Sequence, residues 1–370
     1  MKPYEPESLP LDCIDWAAHV SLIGQANAAL ARYDGMVQSI VNPLVLLSPL
    51  TTQEAVLSSR IEGTQANMEE VLEYEAAPEK PVEPTKYDDI QEIINYRRAM
   101  GQSVESLKKR PLCLNLVKEL HATLLESARG RNKAPGQFRK IQNYIAPPGR
   151  PMEEADFVPP SPEKLPAALD NWEKYLHLEE KDVLVQLAIA KAQFEIIHPF
   201  LDGNGRLGRM LIPLFLYAKG LLSEPTFYVS AYLEEHRDIY YERLRAISKE
   251  KDWNGWITFF LTAVNEQAKQ NTQTVRAVMD LYERLKGVIV DLTHSQYALQ
   301  TLDAIFSRPI FRSTQFQAQA GIPTRPTAGL VLRKLEEGGI LKVFEKGSGR
   351  RPALIVFSDL INLVEGKAVV

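Results

Sequence analysis

His198, Asp202, Arg206 and Arg209 stand within one twelve-residue run, His-Pro-Phe-Leu-Asp-Gly-Asn-Gly-Arg-Leu-Gly-Arg, that ends at Arg209. An imidazole with a pKa near 6.5 can take a proton from a hydroxyl close to neutral pH. Gly203 and Gly205 can adopt positive φ and leave the backbone uncovered. Successive N–H groups in such a turn, Asn204 included, form a concave nest for an anion. A helix expected to start at about Arg206 adds the positive end of its dipole. Arg206 and Arg209, three residues apart, share a helix face and can fork onto phosphate oxygens. Asp202 beside such a nest suits Mg²⁺, which takes one or two carboxylates plus phosphate oxygens and water. These residues describe a site for a nucleotide polyphosphate with a base beside it.

Each feature taken singly has a plainer meaning. Gly-Asn-Gly is a common turn, an arginine pair is commonly a solvated face, and one histidine on an apolar segment is commonly core. Their coincidence at this spacing favours the site. Two helices must hold it. Residues 184–197 carry apolar Leu184, Leu187, Ala188 and Ile196, and residues 207–218 are mostly apolar and expected to be buried. The run is therefore a loop between two core helices.

The chain has 370 residues, 45% of them hydrophobic, enough for two or three domains around a sizeable core. A formal net charge of −4 argues against whole-protein adhesion to nucleic acid or to an anionic membrane. Cys13 and Cys113 lie far apart without metal-type spacing, which gives neither a disulfide framework nor a zinc site. The first residues lack the apolar core of a signal peptide, and no apolar run approaches the roughly 20 residues of a membrane span. The expectation is a soluble cytoplasmic protein with no membrane partner.

The stretch from His198 to Arg209 resembles the signature of the Fic family, His-Pro-Phe-x-Asp-Gly-Asn-Gly-Arg-x-x-Arg, and matches it at every fixed position. Fic enzymes most often transfer AMP from ATP to a Ser, Thr or Tyr hydroxyl of a protein. The resemblance implies His198 as general base and Asp202 as the Mg²⁺ ligand. It implies Gly203, Asn204 and Gly205 as the phosphate nest, and Arg206 and Arg209 on phosphates, Arg209 nearest the γ-phosphate. Leu207 and Gly208 complete the ATP-binding run. ATP and Mg²⁺ are the implied substrate and cofactor, and the implied partner is a target protein with a hydroxyl side chain, the chain itself included.

Upstream, residues 15–32 are expected to be helical, with Trp16, Val20, Ile23 and Leu30 on or near one face. Asn42-Pro43 breaks the chain. Residues 51–62 are expected to form a second helix, Thr51 and Glu54 having capping-box spacing and Gly63 closing it. Glu62 then sits in the last turn, where the dipole disfavours a carboxylate by ~0.3–1 kcal/mol, so a cation opposite would explain it. Ser58 to Gly63 also resembles the inhibitory motif of Fic proteins, Ser/Thr-x-x-x-Glu-Gly/Asn, in the class that carries it N-terminal to the core. The resemblance makes Glu62 inhibitory: paired with Arg209, it would occupy the group that grips the γ-phosphate.

Asn67 and Glu70 form another cap pairing, opening a helix to about Ala76. Residues 78–84 are a Pro-rich connector, and 87–101 and 115–128 are helical, with Arg129-Gly130-Arg131 closing the latter. His121 there is taken as structural. Phe138 to Ile145 alternates as a strand does, Pro147-Pro148-Gly149 turns, and Phe157-Val158-Pro159-Pro160 can return. This resembles the Fic flap, a β-hairpin that docks the target backbone, with Ile141, Gln142, Asn143, Tyr144 and Ile145 as docking residues. Residues 165–176 form a helix with Trp172. Residues 235–248 form another, in which Tyr240, rather than Tyr241, corresponds to the tyrosine that lines the adenine pocket in related proteins. Ser248 stands where some relatives have Asn. Trp253, Trp256, Phe259 and Phe260 are core at helical spacing.

Residues 271–290 are expected to form a linking helix. Helices at 295–305, 313–320 (Ser313 as cap) and 326–338, then strands at 340–343 and 353–357, resemble a winged helix with a basic tip. In such a module Arg325, Arg333, Lys334, Arg350 and Arg351 could meet DNA phosphates; protein contacts or homodimerisation are the equal alternative. The fold class is thus mainly α: a Fic-type helical core with a β-hairpin flap, plus a small C-terminal winged-helix (α+β) domain. The domains are 1–105 with the inhibitory helix at 51–63, the catalytic core 106–270, the linker helix 271–294 and the winged-helix-like 295–370. The function expected from the resemblance is an autoinhibited protein adenylyltransferase. The alternatives are de-AMPylase activity at the same site and a nucleotide-sensing DNA-binding regulator.

Overall fold

The computed structural model describes residues 2–127, 130–146, 149–349 and 351–369. The helix expected over 115–128 stops at Leu124, and residues 128–129, the turn at 147–148 and the expected phosphate contact of Arg350 lie outside the described residues. The helices of the first half are α1 (Trp16–Gln38), α2 (Pro43–Leu46), α3 (Ser48–Ile61), α4 (Met68–Ala76), α5 (Pro84–Leu107), α6 (Leu114–Leu124), α7 (Leu165–His177) and α8 (Val183–Ile197). They are followed by α9 (Asn204–Ala218), α10 (Ser230–Glu235), α11 (Arg237–Glu250), α12 (Trp253–Thr293) and α13 (Ala298–Ser307). The chain closes with β1 (Ile310–Arg312), α14 (Phe316–Gln319), α15 (Arg325–Glu337), β2 (Lys342–Glu345), β3 (Leu354–Val356) and α16 (Ser358–Glu365). The chain forms two compact units: residues 1–34, 57–64 and 94–269, and residues 35–56, 65–93 and 270–370.

The first unit is built around α8 and α9. Helix α8 is apolar nearly all round and buried along its length, as a central helix must be. Asp182 caps it, its carboxylate accepting from the Val185 N–H at 2.9 Å. Two buried indoles brace it, Trp172 donating to the Ala190 carbonyl at 2.7 Å and Trp256 to the Ala188 carbonyl at 2.8 Å. Helix α9 starts at Asn204, earlier than the sequence pattern suggests, because Gly203 at φ +76° serves as its N-cap. The Asn204 and Gly205 amides therefore belong to its first turn. The N-terminal segment is tied down where Asn171 holds both the N–H and the C=O of Leu9, at 2.8 and 2.9 Å.

Several sequence expectations are revised. Val20 is 67% exposed, while Leu30 is buried as expected, on a face of α1 that it shares with Ala26, Ala29 and Tyr33. Helix α3 begins at Ser48, so Thr51 is interior and its hydroxyl returns to the Leu47 carbonyl at 3.2 Å rather than capping. The single helix expected over 235–248 is divided at His236. No separate linking helix exists at 271–290: α12 runs unbroken from the tryptophans of the core to Thr293. Phe138 to Ile145 is not a continuous strand. Among the described residues its only bridge is Ile145 to Phe157, with N–H to O distances of 2.8 Å from Ile145 to Phe157 and from Asp156 to Ile145. The return segment holds Pro159 and Pro160, which have no N–H to donate, and the side chain of Gln142 takes the Pro159 carbonyl at 2.9 Å instead.

In the second unit β1, β3 and β2 make an antiparallel sheet in that order, Phe311 and Val343 both opposite Ile355. The strand β1 and helix α16 have no counterpart in the sequence reading. Ser313 is no cap: its N–H extends the sheet to the Ala353 carbonyl at 3.0 Å. The capping box of α4 is formed, Asn67 accepting from the Glu70 N–H at 2.9 Å and Glu70 from the Asn67 N–H at 3.0 Å. Among the described residues no helix is long and apolar enough to cross a membrane.

Candidate functional site

The geometry of the site begins where α8 stops. His198 is its C-cap, at φ +47° and ψ +60°, a left-handed backbone that non-glycine residues rarely take. Pro199 follows and cannot continue the helix. The His198 N–H closes the last turn on the Phe194 carbonyl at 3.0 Å. Its Nδ1 lies 3.2 Å from the Glu195 carbonyl, which can only accept. Nδ1 therefore carries the proton and Nε2 the lone pair, the tautomer of a general base. Burial pushes the imidazole below its ordinary value, with Glu195 and Glu62 pulling the other way, so it is neutral at pH 7.

The loop is fastened from within by Asn204. Its amide accepts from the Phe200 N–H and donates to the Phe200 carbonyl, both at 2.9 Å. Asn204 thus closes the turn with its side chain and leaves its backbone at the first position of α9. Asp202 accepts from the Gly203 N–H at 2.6 Å and stands 3.5 Å from Arg206 Nη2. Its side chain is 44% exposed. Leu207 is wholly buried in the core. Gly208 leaves room for Glu195, since a Cβ there would lie 2.6 Å from Glu195 Oε1 and the carboxylate would have to shift.

Glu62 follows the last residue of α3, and Gly63 at φ +99° turns the chain away. The Glu62 carboxylate accepts from Arg209 Nη2 at 2.6 Å. Arg209 is also held by Ser58, donating from Nε to its Oγ and from Nη2 to its carbonyl, each at 2.8 Å. Burial alone would push the Glu62 carboxyl up. The Arg209 guanidinium outweighs that, Arg206 and His198 adding, and holds it below the usual carboxylate range. Gly205 makes the approach possible: a Cβ there would stand 2.2 Å from Glu62 Oε1.

These groups face a cavity of about 620 Å³ lined by Glu62, His198, Gly205 and Arg209, by Tyr144 and Ile145 of the flap, and by Tyr240, Tyr241 and Ser248 of α11. The structure therefore brings together His198, Glu62, Gly205, Arg209 and Tyr240. Asp202 and Arg206 lie at the start of α9 outside that lining, as do Ile141, Gln142 and Asn143. Asn143 instead donates to the Phe200 carbonyl at 3.0 Å. Among the described residues no cluster of three metal-type ligands exists. One exposed carboxylate at a helix N-terminus fits a cation that draws its other ligands from phosphate and water.

Glu195, Lys191 and Arg139 escaped the sequence reading, and His121, read there as structural, has partners that the sequence did not show. Glu195 lines the cavity, and buried Lys191 donates to its Oε1 at 3.1 Å and also to the Tyr240 hydroxyl. His121 stacks on Phe200 with ring centroids 3.7 Å apart. The Gly136 N–H donates to its Nδ1 at 2.8 Å, so its Nε2–H donates to the Asp202 carbonyl at 3.0 Å. Burial lowers its pKa to about 4, so the ring stays neutral and both bonds persist. Arg139 reaches the backbone of His198. The acceptors of His121 and Arg139 are backbone carbonyls, which no residue pattern marks.

Two family models match: one described as Fic/DOC family N-terminal over residues 20–105, and one described as Fic/DOC family over residues 111–216. A probable protein adenylyltransferase of Aquifex aeolicus (strain VF5) is 30% identical over 179 residues, covering 48% of this chain and 51% of its own. A protein adenylyltransferase Fic of Drosophila grimshawi is 30% identical over 213 residues, covering 54% and 37%. The chain spans about half or less of the length of these curated relatives. A Fic family protein of Desulfovibrio desulfuricans G20 superposes with a TM-score of 0.57 at 20% identity, over 96% of this chain and 98% of that one. A Fic domain containing signaling protein of Bacteroides thetaiotaomicron VPI-5482 gives 0.56 at 16%, over 69% and 97%. At these identities the likeness is one of fold, and that fold is mainly helical.

Proposed function

Because this chain belongs to the Fic/DOC family, we propose that it is an autoinhibited protein adenylyltransferase acting at the cavity between α9 and α11. His198 Nε2 takes the proton of a target Ser, Thr or Tyr hydroxyl. The freed oxygen attacks the α-phosphorus of ATP; the new P–O bond forms as the α–β bridge breaks, and pyrophosphate leaves. The left-handed Gly203 and the first amides of α9 hold phosphate oxygens. Arg206 and Arg209 add fixed positive charge where charge shifts in the transition state. Asp202 would hold Mg²⁺, whose charge would neutralise the phosphates when bound. Tyr240 and Tyr241, 5.1 Å apart, offer a wall for the base.

The observation that carries this reading is the 2.6 Å bond from Arg209 to Glu62 in the wall of the cavity that His198 faces. With its guanidinium spent on Glu62 and Ser58, Arg209 cannot grip a γ-phosphate, and the α-phosphorus loses in-line alignment. The test is incubation of the wild-type, Glu62→Gly and His198→Ala proteins with α-labelled and γ-labelled ATP in a lysate. Protein label from the α position only, strong in Glu62→Gly and lost in His198→Ala, is expected. Label from the γ position, or none in any protein, overturns the reading.

A second reading uses the same residues: Glu62, 34% exposed toward the cavity, would position water for removal of AMP. AMP release from a modified protein, lost in Glu62→Gly, tests it. For the C-terminal segment, Arg325 and Arg333 are exposed and eight residues apart on α15, one face of that helix. That supports a winged-helix-like module contacting duplex DNA, for which a salt-dependent shift of random DNA is expected.

A further inference from the structure

Arg139 is a buried cation, 3% exposed, whose side-chain hydrogen bonds among the described residues all go to carbonyl oxygens. Its Nε donates to the His198 carbonyl at 2.9 Å and its Nη2 to the Ile197 carbonyl at 3.3 Å. The same Nη2 reaches the Pro160 carbonyl, and Nη1 reaches the Ile141 carbonyl at 3.4 Å. Its own N–H donates to the Pro199 carbonyl at 2.9 Å. Asn143, from the same segment, donates to the carbonyls of Phe200 and His198 at 3.0 and 3.4 Å.

These bonds meet two needs at once. The last carbonyls of α8 have no intrahelical partner and carry the negative end of its dipole, which a guanidinium complements. The His198 backbone sits in the left-handed region, which persists only where neighbouring structure enforces it. The same fork also reaches both sides of the flap, Nη1 at Ile141 and Nη2 at Pro160, where main-chain pairing among the described residues is reduced to the bridge at Ile145. Burial lowers the guanidinium to about 10, leaving it charged at neutral pH.

We propose that Arg139 is a positioning residue that locks the left-handed backbone of His198 and joins it to the flap, so that a target strand seated at residues 141–145 is felt at the imidazole. This rests on the adenylyltransferase reading and adds a link between target docking and the base.

The test uses the full chain carrying Glu62→Gly as parent, with Arg139→Lys and Arg139→Ala added separately. Calorimetric affinity for Mg-ATP is expected to stay near the parent's, because Arg139 does not line the cavity. AMP transfer is expected to fall about 100-fold, the scale set by small misplacements of a reacting group. Methylguanidinium should restore transfer to Arg139→Ala by about tenfold or more, by refilling the carbonyl cage, and amide exchange at residues 141–145 should quicken in both variants. Unchanged transfer overturns the proposal. So does a joint loss of ATP affinity and transfer with no rescue, the mark of a scaffold role alone. If Arg139→Ala does not fold, Arg139→Lys decides by the same comparison of affinity with transfer. If the parent itself transfers no AMP, the functional reading is what fails, and unchanged amide exchange at residues 141–145 in Arg139→Lys would still overturn the link.

Discussion

Arg209 places Nη2 2.6 Å from Glu62 Oε1 although 146 residues separate them in the chain, and it is 1% exposed while Glu62 is 34% exposed. The cation is thus fixed in the protein, and the anion is the member a ligand could displace. Replacing Glu62 with Gly frees Arg209 without disturbing its bonds to Ser58. AMP transfer is expected to rise by about 10²-fold or more, the usual worth of one preorganised charge at a transition state. Initial rates with α-labelled ATP check this; equal rates in wild type and Glu62→Gly would remove the inhibitory role.

The same pair predicts a pH dependence of stability. A carboxyl held below its ordinary 4.5 in the folded chain stabilises the fold fully above the ordinary value. That contribution is lost as pH falls through the depressed value. The melting temperature of wild type should therefore exceed that of Glu62→Gln by a constant margin above pH ~5 and converge on it in more acidic buffer. A margin that does not shrink in acid would mean that the carboxylate charge is not what Arg209 reads.

The imidazole predicts an acid limb with a defined sign. Burial lowers His198, and Glu62 is among the groups pulling it back up. In Glu62→Gly that pull is gone. The pH at which transfer falls to half should lie below the ordinary 6.5, and lower in Glu62→Gly than in wild type assayed with enough enzyme to measure its slow transfer. Rate–pH profiles of the two proteins at saturating ATP check it.

What the sequence discloses here follows from which contacts are local. His198, Asp202, Gly203, Gly205 and Arg209 are legible because one loop and one helix start hold them in order. Glu62 is legible because a carboxylate at the end of a helix calls for a cation. Arg139 is not legible: its acceptors are carbonyls of residues 197 and 198, and any residue can supply a carbonyl. His121 hides for the same reason, its acceptor lying at Asp202. The flap misleads because alternation from Phe138 to Ile145 resembles a strand, while Pro159 and Pro160 remove the donors that a ladder needs. The three-residue β1 is too short to show a period.

His121 gives a stability prediction. In His121→Phe the stack on Phe200 can persist, but the Gly136 N–H and the Asp202 carbonyl each lose a partner. A buried group left unsatisfied costs ~1–3 kcal/mol, so a loss of about 2–6 kcal/mol is expected for the two of them. Chemical denaturation measures it. A loss under about 0.5 kcal/mol, the usual range for surface changes, would show that water replaces both bonds.

Gly205→Ala separates the two roles of the helix start. Gly205 lies within α9 and outside the positive-φ residues, so alanine suits its backbone and favours the helix by ~1 kcal/mol. Its Cβ, however, would stand 2.2 Å from Glu62 Oε1 and 3.2 Å from Arg209 Nη1. Glu62 ends a flexible side chain and Arg209 is pinned by Ser58, so Glu62 is the member that yields. The acid-sensitive margin over the matching Glu62→Gln protein should vanish, since the carboxylate no longer meets its cation. Transfer should nevertheless stay low, unlike in Glu62→Gly, because the added methyl occupies the space beside Arg209 that a phosphate must enter. Melting curves across pH for Gly205→Ala and Gly205→Ala/Glu62→Gln, set beside their rates with α-labelled ATP, read both effects. A Gly205→Ala protein as active as Glu62→Gly would show that phosphates do not pass that methyl.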